Sequence, residues 1–145
     1  MSAVFDLLII GSGPGGYVSA IRAAHLGLKV GVIERDRLGG VCLNWGCIPT
    51  KALLRSAEIY RNMRHAKDYG LKVEGLSFDR EAVVSRSRGI ADKLSGGVQF
   101  LMKKHKIQVI EGEARLVPGT QAPGVLVKAK SGAETAFSAK HVILA

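Results

Sequence analysis

The chain has 145 residues, of which 47% are hydrophobic, enough for one ordinary domain with a single core and against a disordered chain. Its formal charge of +9 would suit nucleic acid, an anionic membrane or a phosphate-bearing ligand, but no nucleic-acid motif accompanies it and the basic residues are interleaved with apolar ones. No apolar run approaches the roughly 20 residues that span a bilayer, and no secretory signal precedes the first strand, so we expect a soluble, cytoplasmic protein that binds neither nucleic acid nor membrane.

A strand, a helix and a second strand are predicted in the first 34 residues. Residues 5–10 form a short apolar run that ends at Gly11, as in a parallel strand buried on both faces. Residues 14–26 repeat small and apolar side chains at helical spacing, and residues 29–33 form a second apolar run. The pattern predicts a β-α-β unit with a right-handed crossover.

Two further helices are predicted downstream. Residues 34–46 lack clear periodicity, and a helix is expected from near Pro49 to near Ala66. A longer helix is expected from Asp79, a suitable N-cap, to about His105.

Short strands follow the last helix. Residues 108–111, 125–130 and 135–138 are separated by Pro-Gly and Ser-Gly pairs, which is typical of a small antiparallel meander. Residues 141–145 (HVILA) are typical of one more buried strand, after which the chain stops without a cap, turn or polar tail. We therefore expect an α/β fold with a Rossmann-like parallel sheet, long helices and an antiparallel meander, truncated from a larger multidomain protein.

The glycine-rich turn predicts dinucleotide binding. Residues 11–16 (GSGPGG) match G-x-G-x-x-G directly between a strand and a helix. Gly11 permits the tight turn, Gly13 lets the backbone approach a pyrophosphate, and Gly16 lets helix and strand pack closely. Glu34, 23 positions after Gly11, is suited to accept ribose hydroxyl hydrogens. The alternative is a glycine turn with a surface glutamate, and the motif alone does not distinguish NAD, NADP and FAD.

Cys42 and Cys47 are a second candidate site, for which we expect no metal. Tetrahedral zinc would need two more ligands, and the four histidines are scattered along the chain. On an ideal helix, positions i and i+5 are separated by about 7.5 Å of rise, beyond the usual Cα separation of a disulfide. A bonded pair therefore needs distorted backbone, which Gly46 and Pro49 suit, and we expect a strained, reducible disulfide in a loop that leads into a helix. An unreactive thiol pair is the alternative.

A flavin is the favoured electron acceptor for such a pair. A thiol pair exchanges two electrons, and an isoalloxazine ring beside one sulfur is able to pass them on, which favours FAD. Lys51, one helical turn after Cys47, would place an ammonium near the flavin, unless it is an ordinary exposed helix lysine. Trp45 either shields the disulfide or fills the core, and we interpret it as a core residue.

Three segments together, GSGPGG, ERDRLGGVCLNWGCIPTKALL and HVILA, closely resemble the N-terminal FAD-binding segment of the pyridine nucleotide-disulfide oxidoreductases. The resemblance covers essentially the whole chain, and the disulfide segment is most similar to the members that act on dihydrolipoamide. It implies that residues 1–145 are the N-terminal part of an FAD-binding domain with a redox disulfide. The NAD, remaining FAD and interface regions of the family lie outside this chain.

The resemblance also implies residue roles. Cys42 would be the interchange thiol that meets the dithiol substrate, and Cys47 the charge-transfer thiol against the flavin. The residues it assigns to cofactor binding are Gly11, Gly13, Pro14, Gly16, Glu34, Arg35, Gly39, Gly40, Val41, Cys42, Lys51 and Ala114.

The function implied is oxidation of protein-bound dihydrolipoamide, with electrons passing through the cysteine pair and FAD to NAD+. The expected partners are a lipoyl domain of a 2-oxo acid dehydrogenase complex and a second subunit of a homodimer. In the family a histidine-glutamate base comes from the interface domain, so we expect the 145-residue chain alone to be inactive in full turnover. A related NADPH-dependent disulfide or mercuric reductase, or a non-catalytic FAD-binding fragment, are the alternatives.

Overall fold

The computed structural model describes residues 4–119 and 123–145, in which a β-sheet organises the larger part of the chain. Its strands are β1 (Val4–Ile10), β2 (Val30–Glu34), β3 (Gln108–Glu111), β4 (Glu113–Val117), β5 (Gly124–Lys128) and β6 (Glu134–Leu144). Within the described residues they form one six-stranded sheet in the order β3-β2-β1-β6-β5-β4. The pairs β1–β2, β1–β6 and β2–β3 are parallel, whereas β4–β5 and β5–β6 are antiparallel.

Helices occupy most of the rest of the described chain. They are α1 (Pro14–His25), α2 (Gly40–Asn44), α3 (Cys47–Arg64) and α4 (Arg80–Lys104), with a 3-10 turn at Ala66–Tyr69. Asp79 caps α4 as expected, because its Oδ1 accepts the Ala82 N–H at 3.0 Å. The mixed helix and strand content and the β1-α1-β2 unit confirm the predicted α/β class. Within the described residues, no helix is both long and apolar enough to cross a membrane.

The chain divides into two units. The first comprises Met1–Gly40 with Ser95–Ala145 and contains the sheet and α1. The second is Val41–Leu94, which contains α3 and the first part of α4. The glycine turn and Glu34 therefore belong to the first unit, and the cysteine pair belongs to the second.

The core of the first unit is centred on β1. Phe5, Leu8 and Ile9 are at most 1% exposed, because β1 has a parallel neighbour on each side. Gly31 on β2 packs under this strand, and a Cβ there would stand 2.7 Å from the Leu8 side chain. Each fully buried large apolar side chain contributes about 1.5–3 kcal/mol to folding. This burial fixes the carboxyl ends of both strands: the glycine turn follows β1, and Glu34 is the last residue of β2.

The prediction of an antiparallel meander was correct, but the strands assigned to it were partly wrong. The predicted strand at residues 108–111 is β3, which pairs in parallel with β2 and is not part of the meander. β4 was not predicted. Residues 135–138 and 141–144 belong to one strand, since no turn residue separates them. The antiparallel part is therefore β4, β5 and β6, continuous with the parallel sheet.

The predicted strand at residues 141–145 was correct for residues 141–144, but the prediction that it is buried was wrong. Residues 141–144 form the end of β6 and pair with β1, with His141 opposite Leu7 and Leu144 opposite Ile10. The side chain of Leu144 is nevertheless 66% exposed and that of Ile143 36%. An apolar run indicates that a segment forms a strand. Whether that strand is buried depends on what packs on the two faces of the sheet.

Candidate functional site

The glycine turn between β1 and α1 has the geometry that its sequence predicts. Gly11 has a φ of 96°, which favours glycine, and a Cβ there would overlap the backbone oxygen of Ala145. A Cβ on Gly16 would overlap the backbone oxygen of Gly11, so this glycine is needed for close packing of helix and turn. A Cβ on Gly13, in contrast, would meet nothing within 4 Å. Gly11 and Gly16 are needed for the fold, whereas Gly13 leaves space open above the turn.

The N-terminus of α1 is suited to an anion. Gly13 is the N-cap and provides no side-chain hydrogen bond, Pro14 occupies the first turn, and no acidic side chain lies there. The first N–H groups of a helix have no acceptor within the helix and carry the positive end of its dipole. A phosphate at this position would receive those hydrogen bonds without competition from a capping side chain.

Ser12, which the sequence reasoning did not select, is the centre of the turn. It is fully buried, and both its N–H and its hydroxyl donate to Oε2 of Glu34, at 3.0 Å and 2.5 Å. The Gly39 N–H donates in turn to the Ser12 hydroxyl at 3.2 Å and to the Ser12 backbone oxygen at 3.0 Å. One serine therefore connects the glycine turn to the end of β2 and to the loop before α2.

The Glu34 carboxylate is held in its charged form. Burial raises the pKa of this carboxyl, but hydrogen bonds from Ser12, Asp36 and Arg35 outweigh burial and leave its pKa below the ordinary value. The Asp36 N–H meets Oε1 at 2.9 Å, so both carboxylate oxygens are oriented by the protein. An oriented carboxylate at the end of β2 is the acceptor that ribose recognition requires.

The segment around Ala114, which the resemblance assigns to cofactor binding, lies beside Glu34. The Gly112 N–H donates to the Glu34 backbone oxygen at 3.0 Å, and Arg35 lies 3.9 Å from the Glu113 carboxylate. Ala114 is half-buried on β4. A groove of about 530 Å³ opens here, lined by Arg35, Asp36, Gly112, Glu113, Lys128 and Lys130 among others. Its volume lies within the range of small-ligand sites.

Gly39 and Gly40 bring a second backbone segment to the turn. Both have positive φ, 98° and 62°, and a Cβ on Gly40 would stand 2.8 Å from the Gly13 Cα. Ser95 on α4 fixes this loop, since its hydroxyl donates to the Leu38 oxygen at 3.0 Å. The predicted residues Gly13 and Gly40 are therefore adjacent in the first unit.

Cys42 and Cys47 form a disulfide in the second unit, with a Cα–Cα distance of 4.7 Å. The expectation of a loop leading into a helix near Pro49 was wrong in detail. Cys42 lies on the short helix α2, and Cys47 is the first residue of α3. Only Trp45 and Gly46 separate the two helices, and this break shortens the spacing that a continuous helix would give.

Gly46 makes the break compact. Its N–H donates to the Val41 backbone oxygen at 2.7 Å, and a Cβ would stand 3.2 Å from that oxygen and 3.3 Å from the Cys42 Cα. A larger residue at this position would have to move the end of α2. Glycine is therefore favoured here by the close approach of two backbones and not by a positive φ.

The side chains around the disulfide are unevenly buried. Leu43 and Asn44 are buried, whereas Val41 is 70% exposed and Trp45 is 45% exposed, so the interpretation of Trp45 as a core residue was wrong. Lys51 lies on α3 one turn after Cys47 and is exposed. Cys42 is half-buried and Cys47 is exposed, which leaves the disulfide accessible to another molecule.

Arg88 on α4 also belongs to this site, and the sequence carried no signal for it. Its Nη1 donates to the Asn44 backbone oxygen at 3.3 Å, at the end of the helix that carries Cys42. An arginine on a charged helix face is indistinguishable in sequence from its solvated neighbours.

Comparison with known proteins agrees with this geometry. Residues 5–145 match the family described as pyridine nucleotide-disulphide oxidoreductase. The dihydrolipoyl dehydrogenases of Rhizobium etli and Zymomonas mobilis are each 50% identical in alignments that cover 100% of this chain and 33% and 30% of those proteins. That of Chlorobaculum parvum is 51% identical over 99% of this chain and 30% of its own length.

A solved structure, LpdA from Mycobacterium tuberculosis, superposes with a TM-score of 0.86 at 25% identity, over 95% of this chain and 31% of that protein. The chain thus spans about a third of the length of the relatives it matches. The glycine turn in the first unit and the disulfide in the second agree with the family match over residues 5–145. The chain therefore belongs to the pyridine nucleotide-disulphide oxidoreductase family.

Proposed function

We propose that this chain is the disulfide-bearing, FAD-binding part of a dihydrolipoyl dehydrogenase. The observation that carries the proposal is the disulfide between Cys42 and Cys47, accessible and set at the junction of two helices. The names of relatives about 50% identical over the whole chain support the substrate. Because this chain spans about a third of those proteins, activity, substrate and partners are proposals for the complete enzyme.

The residues of the first unit fit an FAD. The open space at Gly13 and the uncapped start of α1 suit a pyrophosphate, and the oriented Glu34 carboxylate suits the ribose. Arg35 and Ala114 would lie at the adenine end, and Gly39 and Gly40 would lead toward the flavin. When bound, FAD supplies a two-electron acceptor that the protein itself lacks.

The cysteine pair performs the exchange with substrate. One thiolate of the dithiol attacks the Cys42 sulfur, and the Cys42–Cys47 bond breaks with Cys47 leaving as thiolate. The second substrate thiolate then attacks the mixed disulfide and displaces Cys42, so the substrate leaves as its disulfide. The protein gains two electrons, which Cys47 passes on, and Lys51 would stabilise the anionic groups nearby.

The remaining predictions concern the complete enzyme. We place NAD+ as the final electron acceptor, a lipoyl domain of a 2-oxo acid dehydrogenase complex as the partner, and a homodimer as the working form. The cytoplasmic location stays a prediction.

The test combines a spectrum with an assay. The purified protein should show a flavin spectrum, and the complete enzyme should oxidise dihydrolipoamide with NAD+. Turnover of NADPH with glutathione disulfide or mercuric ion, without dihydrolipoamide oxidation, would instead identify a related reductase. A protein that binds FAD but whose disulfide no dithiol reduces would be a non-catalytic fragment, and a colourless protein would contradict the cofactor proposal.

A further inference from the structure

An arginine on α4 holds the helix that carries Cys42. The hydrogen bond from Arg88 Nη1 to the Asn44 oxygen, 3.3 Å long, joins residues 44 positions apart in the sequence. Asn44 ends α2 and is 2% exposed. Carbonyl groups in the last turn of a helix receive no hydrogen bond from the helix itself, so a guanidinium is a favourable donor there.

A second arginine attaches the helix that carries Cys47. Arg86 Nη1 lies 3.1 Å from the Ala52 backbone oxygen and 3.5 Å from the Ser56 hydroxyl, both on α3. Side chains two positions apart on a helix point in different directions, so Arg86 and Arg88 reach different neighbours. Each cysteine-bearing helix is thus attached to α4 by a contact that does not involve the sulfur atoms.

These contacts matter most once the disulfide is reduced. In the disulfide form the S–S bond keeps the cysteine Cα atoms 4.7 Å apart. Reduction removes that bond, and only Trp45 and Gly46 then separate the two helices along the chain. Thiols held close together re-form their disulfide more readily than thiols on loose segments, which makes the reduction potential of the couple more negative.

We infer that Arg88 is a positioning residue of the dithiol: by holding the end of α2 it keeps Cys42 near Cys47 after reduction and so lowers the reduction potential of the couple. The inference rests on the proposed redox function of the pair. It concerns a residue that touches neither sulfur nor cofactor in the contacts described.

The experiment is an equilibrium with dithiothreitol. Two dithiothreitol thiols become its disulfide while Cys42–Cys47 takes up two electrons and two protons, so the reaction balances without another reagent. The mixture is trapped with N-ethylmaleimide, and the reduced fraction is read by mass spectrometry of the tryptic peptide of residues 38–51, which contains both cysteines. In Arg88→Met we expect the equilibrium to move about tenfold toward the dithiol, the effect of losing one hydrogen bond to a charged group, or about 30 mV for two electrons.

Matched variants separate position from charge. Lys93→Met removes an exposed cation from the same helix and should leave the equilibrium unchanged. Arg88→Lys, which keeps a donor and a charge, should recover part of the shift. If Arg88→Met does not fold, Arg88→Gln, whose shorter side chain does not reach Asn44, should show the same direction.

Two results would overturn the inference. One is an unchanged equilibrium in an Arg88 variant with a native circular dichroism spectrum. The other is a shift toward the disulfide, expected if the guanidinium charge acts mainly by stabilising thiolates. A wild-type pair that dithiothreitol never reduces would contradict the proposed function as well, whereas a wild type that titrates normally beside unchanged variants would contradict this inference alone.

Discussion

The Ser12 hydroxyl donates a hydrogen bond to the Glu34 carboxylate across 22 positions of sequence, and the Ser12 N–H meets the same oxygen at 3.0 Å. These two hydrogen bonds fix the glycine turn and the end of β2 to each other. Glu34 thus has two roles under the proposed function, since it orients the turn and accepts the ribose.

Two glycines of the turn should respond differently to alanine. Gly16→Ala places a Cβ against the Gly11 oxygen and should lower the free energy of unfolding by about 1–3 kcal/mol. Gly13→Ala meets no protein atom within 4 Å and should change it by less than about 1 kcal/mol, yet raise the Kd for FAD roughly tenfold or more. Urea unfolding and a flavin titration measure the two effects, and equal destabilisation by both variants would contradict the assignment.

Glu34→Gln should weaken FAD binding. A neutral amide accepts a ribose hydroxyl less strongly than a carboxylate, and a hydrogen bond to a charged group contributes about 1.5–3 kcal/mol, so the Kd should rise roughly ten- to a hundredfold. Isothermal titration with FAD measures it. Glu134→Gln on β6, an exposed carboxylate far along the chain, is the control and should bind as the wild type does.

Acid should destabilise the wild type more than Glu34→Gln. The pKa of Glu34 in the folded protein lies below its ordinary value of 4.5, so its carboxylate stabilises the fold above that pH. The contribution disappears as the pH falls through the lower folded pKa, since the unfolded chain then binds the proton first. Unfolding curves from pH 7 downward should show a steeper loss for the wild type below about pH 4.5, and parallel curves would exclude a role for this group.

The two cysteines should be separable by substitution. Cys42→Ser and Cys47→Ser should each abolish dihydrolipoamide oxidation by the complete enzyme, because neither retains the disulfide. Only Cys42→Ser keeps the thiol assigned to the flavin, so only it should show added long-wavelength absorbance as the pH rises and the thiolate forms. Absorbance of the FAD-loaded variants against pH decides this, and the opposite pattern would exchange the two roles.

Lys51→Met should shift the FAD-loaded protein toward its oxidised form. Removing an ammonium near the flavin disfavours anionic groups, so the flavin potential should become more negative. Lys67→Met, which removes an exposed cation outside α3, should leave it unchanged. A redox titration with a reference dye measures both, and identical potentials would make Lys51 an ordinary surface residue.

Local patterns explain what the sequence predicted well. The β1-α1-β2 unit was found because its apolar runs are continuous and a glycine motif separates them. The five-residue helix α2 was missed because it is shorter than two helical turns and has no detectable period. β4 was missed because Glu113–Val117 follows β3 after a single residue, Gly112, and carries two charged side chains.

Tertiary contacts account for the rest of the candidate site. The importance of Ser12 depends on Glu34 and Gly39, which are 22 and 27 positions away, and that of Arg88 on a partner 44 positions away. Contacts between residues so far apart in sequence cannot be predicted from local periodicity. Trp45 was predicted to lie in the core because its side chain is large and aromatic, whereas between α2 and α3 this side chain is exposed.

The strand order has a consequence for folding during synthesis. β1 lies between β2 and β6, and Val4 pairs with Ser138, 134 positions later, so β1 lacks one of its two neighbours until β6 has been synthesised. Until then one edge of a strongly apolar strand offers unpaired backbone groups to any neighbouring chain. Contacts of such long sequence separation also slow folding. A nascent chain arrested before β6 should therefore need chaperone protection, even though its β-α-β unit is already complete.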